Sequence, residues 1–150
     1  MTASNRQGYR GYICARMEMG RSTPQHIQQL VIRDYCAKRG MRFLLSATEY
    51  CMPGCTLILD AVLAELNALD GIVMYSLYQM PTDKQKRMAM YVALFASGCE
   101  LHCAAENIAI RSWDDANRIE DVWLVAAVME GQSQEAFTAL KQFDRHCEGV

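Results

Sequence analysis

The sequence predicts an α/β domain: a three-layer, mostly parallel sheet of four to five strands with helices on both faces, followed by C-terminal helices. Three observations predict it. Short apolar runs alternate with stretches of helical period, turn residues mark each change, and 150 residues is one domain's worth of chain.

Residues 1–9 are polar and expected to fray. Gly11 to Ala15, carrying Tyr12, Ile13 and Cys14, reads as a buried strand, and a loop from Arg16 to Thr23 follows. Thr23 and Pro24 stand as N-cap and first helical residue. Ile27, Leu30, Val31 and Tyr35 then recur at helical spacing until Arg39-Gly40 stops the helix. Met41 to Ser46 is the second strand and Pro53-Gly54 centres a turn. Leu59, Val62, Leu63, Leu66 and Leu69 form a second helix ended at Asp70-Gly71. Ile72 to Leu77 is apolar almost throughout, as a central parallel strand covered on both faces must be. Met88, Tyr91, Val92 and Phe95 mark a third helix closed at Ser97-Gly98. Leu101 to Ala105 is a fourth strand and Ile108 to Ile110 a short fifth. Trp113 to Met129 is a fourth helix, and Gly131 breaks it from a last one built on Phe137, Leu140 and Phe143. Residues 1–150 are thus expected to form a single domain, with 113–147 as an oligomer surface.

Composition bounds the function. With 51% hydrophobic and 21% charged residues, the chain is neither disordered nor of low complexity. Fifteen bases against seventeen acids leave a net charge of −2, so no global positive field draws it to nucleic acid or anionic lipid. Its seven cysteines are odd in number and spread through core elements. The N-terminus has no apolar signal core, and no stretch has the apolar length of a bilayer span. The expectation is a cytoplasmic protein with reduced thiols. The Gly-rich dinucleotide fingerprint is absent, and no cofactor is expected.

In open α/β sheets, ligands bind outside the carboxyl ends of the strands, near the point where strand order reverses. That rule selects Arg16, Glu18, Arg21 and Ser22 after the first strand and Ser46, Thr48, Glu49 and Tyr50 after the second. After the third and fourth it selects Tyr75, Ser76, Tyr78, Gln79, Glu106 and Asn107. Gly20 to Gln25 opens the first helix, where free N–H groups and the helix dipole favour a phosphate or carboxylate. Arg16, Arg21, Ser22, Thr23, Gln25 and His26 are the candidate binding residues there. The competing reading makes Ser22 and Thr23 simple caps. Glu49 and Glu106 are candidate acid and base if the fold joins them, with Tyr50, Tyr75 or Tyr78 as a second proton carrier.

Cys51-Met-Pro-Gly-Cys55 and Cys99-Glu-Leu-His-Cys103 invite a zinc reading that spacing weakens. Three residues separate the thiols where a knuckle has two, and four strand steps set Cys99 about 13 Å from Cys103. Packing is the expected role and no metal site is assigned. A redox role for Cys51 and Cys55, whose turn is able to bring the sulfurs together, stays open. His26, His102 and His146 stand apart in sequence and read as surface or satisfied core residues.

Two resemblances follow. Tyr12-Ile-Cys-Ala-Arg16, Ser22-Thr23, Gln25 and Asp70-Gly-Ile-Val-Met-Tyr-Ser-Leu77 resemble the catalytic domain of serine recombinases over about residues 9 to 110. That implies a resolvase-like or flavodoxin-like core. In that family an acid and two arginines follow the third strand, whereas this chain has Tyr78-Gln-Met-Pro-Thr82, so DNA strand exchange is not expected. The second set comprises Arg10-Gly-Tyr-Ile13, Pro24-Gln-His-Ile-Gln28, Leu30-Val-Ile-Arg-Asp-Tyr-Cys36, Leu44-Leu-Ser-Ala-Thr-Glu-Tyr50, Asp70-Gly-Ile-Val73, Tyr75-Ser76 and Glu120-Asp-Val-Trp123. It resembles the sporadic carbohydrate cluster family, small bacterial proteins encoded among sugar-biosynthesis genes. The resemblance implies a role in making or modifying a sugar, and it meets the strand-end rule at Ser46-Ala-Thr-Glu-Tyr50.

Two functions are therefore expected. The first is an enzyme that isomerises, epimerises or eliminates on a phosphorylated or nucleotide-linked sugar by proton transfer. The second is an inert resolvase-like module serving a partner enzyme. A small-molecule partner, no nucleic acid, no membrane and a homodimer or higher homo-oligomer complete the expectation.

Overall fold

The computed structural model describes residues 5–15 and 22–147, with side chains described as far as residue 131. The chain divides into two compact units, Met1–Trp113 and Asp114–Val150. The first holds a five-stranded sheet: β1 (Tyr9–Cys14), β2 (Phe43–Glu49), β3 (Gly71–Met74), β4 (Glu100–Cys103) and β5 (Ile108–Ile110). Its order is β2-β1-β3-β4-β5, parallel except for antiparallel β5. That is the α/β sheet the alternation predicts, and its order reverses between β1 and β3.

The connecting helices are α1 (Gln25–Lys38), α2 (Leu57–Leu63) and α3 (Lys84–Ala96). Side chains alternate between the two faces of a strand. On one face, Ile13, Val73 and Ala104 join Ile32, Tyr35 and Cys36 of α1 in a buried cluster. The opposite face carries Tyr12, Cys14, Met74 and Leu101, all buried, and α2 and α3 supply buried Leu59, Val62, Met90 and Leu94. α2 and α3 also touch one another. Right-handed crossovers place α1 on one side and α2 with α3 on the other.

Several elements depart from expectation for identifiable reasons. The polar residues before β1 are tied down where they are described. Gln7 N donates to Ala68 O (2.8 Å), and the Arg6 guanidinium donates to Gly98 O (3.0 Å) and to Ser97 O. β2 starts at Phe43 and runs to Glu49, with an irregularity in its register opposite Tyr9 and Gly11. α2 is only seven residues long, and Leu66–Ala68 forms a separate 3-10 turn. Leu69 is already extended, so that Asp70 N can reach Gly8 O (2.8 Å) and open β3. β3 ends at Met74, and Leu77–Gln79 is a 3-10 turn instead of strand.

The buried face of α3 is Arg87, Met90, Tyr91 and Leu94, capped by Asp83, whose carboxylate accepts from Gln85 N (2.9 Å). Val92, expected inside, is exposed. The expected break at Gly131 is absent. One helix, α4 (Trp113–Cys147), runs through it, because a lone glycine costs a helix only about 1 kcal/mol. Gly71 has a packing reason: a Cβ there would overlap the carbonyl oxygen of Glu100 on β4.

Candidate functional site

Where the strand order reverses, the end of β1 and the chain leaving β3 are tied together by side-chain amides. Gln28, buried on α1, donates to Cys14 O (2.6 Å) and Thr23 O (2.7 Å) and accepts from Cys14 N (3.1 Å). Its Oε1 also accepts from Nε2 of Gln79 (2.7 Å), whose own Oε1 accepts from Tyr75 N (3.1 Å). Two buried glutamines thus fasten the first turn of α1, the end of β1 and the chain leaving β3 into one frame. Strand-end reasoning reached Gln79 but missed Gln28. The available signal was an amide in the same helical register as buried Ile32 and Tyr35.

Ser22, Thr23, Gln25 and His26 of the predicted binding set adjoin this frame at the start of α1. Pro24, not Thr23, is the N-cap of α1; no side chain caps the helix and its first turn holds no acid. The N-terminus is therefore electropositive, with no side-chain cap to offset it. Ser22, Gln25 and His26 are exposed beside it and Thr23 is half-buried. The Ser22 hydroxyl donates to Ala15 O (3.5 Å). Arg16 and Arg21, with Glu18, lie outside the described residues.

Across the frame, Ser76 donates to Oε1 of Glu106 (2.6 Å), and Leu77 N donates to its Oε2 (3.0 Å). Tyr78 N in turn donates to Ser76 Oγ (3.3 Å). Glu106 thereby supports the 3-10 turn, while Tyr75 and Tyr78 flank it half-buried. The turn bearing Glu106 is tied to β3 by Ala105 N to Tyr75 O (2.7 Å), and Asn107 takes the left-handed φ of 58° that closes it.

Glu49 occupies a different place. It is 2% exposed, and its carboxylate accepts from Tyr12 OH (3.0 Å), Leu59 N (3.0 Å), Ile58 N (3.1 Å), Tyr50 N (3.1 Å) and Cys55 Sγ (3.4 Å). Burial alone would raise its pKa. The amides of Leu59 and Ile58, the Tyr12 hydroxyl and the Tyr50 amide outweigh burial and hold it below the usual carboxylate range. The side chain serves as an internal anion for the N-terminus of α2.

Glu49 and Glu106 do not meet: β1 and β3 lie between their strands, three inter-strand spacings or about 14 Å. Ser46-Ala-Thr-Glu-Tyr50 is not one surface either. Ser46 Oγ donates to Gln29 of α1 (2.8 Å), on the face opposite Glu49. Thr48 and Tyr50 are exposed.

A second polar cluster lies on the α1 face toward the amino ends of the strands. Buried His102 bonds through Nδ1 to Tyr35 OH (2.7 Å) and through Nε2 to Oε2 of Glu100 (2.8 Å). Tyr9 OH (3.3 Å) and Arg111 Nε (3.1 Å) also donate to Glu100, and the Arg39 guanidinium lies over the Tyr35 ring (3.6 Å). Burial lowers the His102 pKa against the pull of Glu100 and, with the Glu100 charge, pushes Tyr9 up to about 12. His102 is thus a satisfied core histidine. Cys14, Cys36, Cys99 and Cys103 are buried thiols; Cys51 is exposed and Cys55 half-buried. Among the described residues no helix is long and apolar enough to cross a membrane.

Neither a protein-family model nor a curated protein sequence matches the chain. Solved structures do. The N-terminal catalytic domain of TP901-1 integrase superposes with a TM-score of 0.58 at 13% identity, over 82% of this chain and 97% of that one. A resolvase family site-specific recombinase from Streptococcus pneumoniae gives 0.53 at 12% identity, over 85% and 98%. At this identity the likeness establishes the fold: the chain has a resolvase-like α/β core.

Proposed function

We propose that the chain binds a phosphorylated or nucleotide-linked sugar in the crevice between the ends of β1 and β3, and acts on it by proton transfer. The observation that carries this reading is the contrast between two helix N-termini. That of α2 is filled by Glu49 from within, whereas that of α1 carries no acid in its first turn and no side-chain cap. Ser22, Thr23, Gln25 and His26 hold the phosphate, joined on sequence grounds by Arg16 and Arg21, which lie outside the described residues. Glu106, with Ser76, Tyr75 and Tyr78 at the end of β3, exchanges the proton in isomerisation, epimerisation or elimination. Glu49 holds α2. That the ligand is a sugar rests on the stretches that resemble the carbohydrate cluster family.

DNA strand exchange is disfavoured. Where a recombinase carries arginines after the third strand, this chain has Gln79, Met80 and Pro81, all buried. A thermal-shift panel of hexose phosphates and nucleoside-diphosphate sugars tests the reading, since a specific ligand raises the melting temperature by linkage. A shift abolished in Arg16→Ala/Arg21→Ala is expected; silence across the panel would refute it.

One observation favours the second reading, a module that works through a partner or a second copy. Along α4, Val122, Leu124, Val125, Val128 and Met129 are exposed apolar residues. Light scattering on the eluting protein discriminates: a dimer dispersed by Leu124→Glu/Val128→Glu supports self-association through α4, and a strict monomer at high concentration removes it.

A further inference from the structure

The β2–α2 loop holds two cysteines that the ligand reading does not use. Cys51 is exposed and Cys55 half-buried, and both are thiols. Between them, Cys55 N donates to Met52 O (3.2 Å) and Gly54 takes a φ of 69°, so the chain folds back on itself within these five residues. The loop is also wrapped around one atom. Tyr50 N, Cys55 Sγ and Ile58 N all lie within 3.4 Å of Oε1 of Glu49. The residue preceding Cys51, the thiol of Cys55 and the first turn of α2 are therefore gathered on a single buried carboxylate.

We propose that Cys51 and Cys55 form a reversible disulfide that tunes the anchoring of α2. The oxidant is a small-molecule disulfide of the glutathione type. The exposed Cys51 thiolate attacks one sulfur of that disulfide and displaces one thiolate, giving a mixed disulfide. Cys55 loses its proton to solvent and attacks the Cys51 sulfur, closing the internal S–S bond and releasing the second thiolate. Two protein thiols are oxidised and one external disulfide is reduced to two thiols. The consequence is local: the sulfur of Cys55 no longer carries a hydrogen, so Glu49 Oε1 loses one of its three donors. Exposed loop disulfides of this kind are the labile, regulatory ones, and in a reducing compartment such bonds are transient.

The test uses the full chain incubated with glutathione disulfide, alkylated and mapped by peptide mass spectrometry. The expected result is that Cys51 and Cys55 leave the alkylatable pool together as one linked peptide, while Cys55→Ser yields only a Cys51–glutathione adduct. Amide exchange at Ile58 and Leu59 should rise about threefold on oxidation, reverse with dithiothreitol, and stay unchanged in Cys55→Ser, whose hydroxyl keeps the donor. Stable glutathione on Cys51 with Cys55 still alkylatable would overturn the disulfide. A linked pair with unchanged exchange at Ile58 and Leu59 would overturn its coupling to α2.

Discussion

Glu49→Gln separates a structural acid from a catalytic one. At neutral pH the carboxylate is ionised and accepts from Tyr12 OH and Leu59 N through Oε2, and from Tyr50 N and Cys55 Sγ through Oε1, with Ile58 N shared. A glutamine keeps one acceptor oxygen. Placed at Oε2 it retains the two most buried donors, and its NH2 then faces donors that water can reach. The cost is the lost charge on the remaining bonds, about 2 kcal/mol. Glu49→Ala leaves the Leu59 amide and Tyr12 hydroxyl buried without an acceptor and should cost about 4 kcal/mol. Urea unfolding at pH 7 measures both.

The pH dependence follows from the direction of the shift. Because the folded-state pKa lies below the unfolded value of 4.5, the stabilisation is fully present above pH 4.5 and is lost as pH falls through the folded pKa. The difference between wild type and Glu49→Gln should therefore shrink below pH 4.5. Variants within 0.5 kcal/mol of wild type at pH 7, about the scatter of ordinary surface substitutions, would refute the anchoring role.

Further outcomes follow from neighbouring geometry. Gly71→Ala pushes a methyl into the Glu100 backbone, where neither strand can give way, and should cost about 3 kcal/mol by thermal or urea unfolding. Gln28→Leu removes the amide that joins Cys14, Thr23 and Gln79; it should destabilise by about 3 kcal/mol and abolish any ligand-induced thermal shift together. His102 should titrate by NMR below its ordinary 6.5, so stability falls as pH drops below 6.5, where the unfolded chain takes the proton first. Tyr9 should ionise near pH 12 rather than near 10 in an ultraviolet titration.

Much of this architecture is written in local pattern. The apolar runs at Tyr12, Ile72 and Leu101 and the stops at Gly40, Gly71 and Gly98 place the parallel strands and their helices. What local pattern misses is set by tertiary partners. Leu77 looks like strand but turns, because Glu106 and Ser76, distant in sequence or polar in character, take the amides there. Glu49 looks like a crevice acid because strand-end position does not tell which face a side chain takes; a period of two sends Ser46 to α1 and Glu49 to α2. Gln28 and His102 each sit in a buried register, and their partners, Gln79 and Tyr35, lie far along the chain, where no spacing rule reaches.

In the proposed function, the N-terminus of α1, and not that of α2, receives an anionic sugar ligand. Amide NMR of the labelled protein titrated with a hexose phosphate and a nucleoside-diphosphate sugar tests it most directly. Saturable shifts are expected at Gln25 and His26, with smaller ones at Ser76 and Glu106 and none at Ile58 or Leu59. Saturable shifts at Ile58 and Leu59, or no response at Gln25 and His26 to either compound, would contradict it.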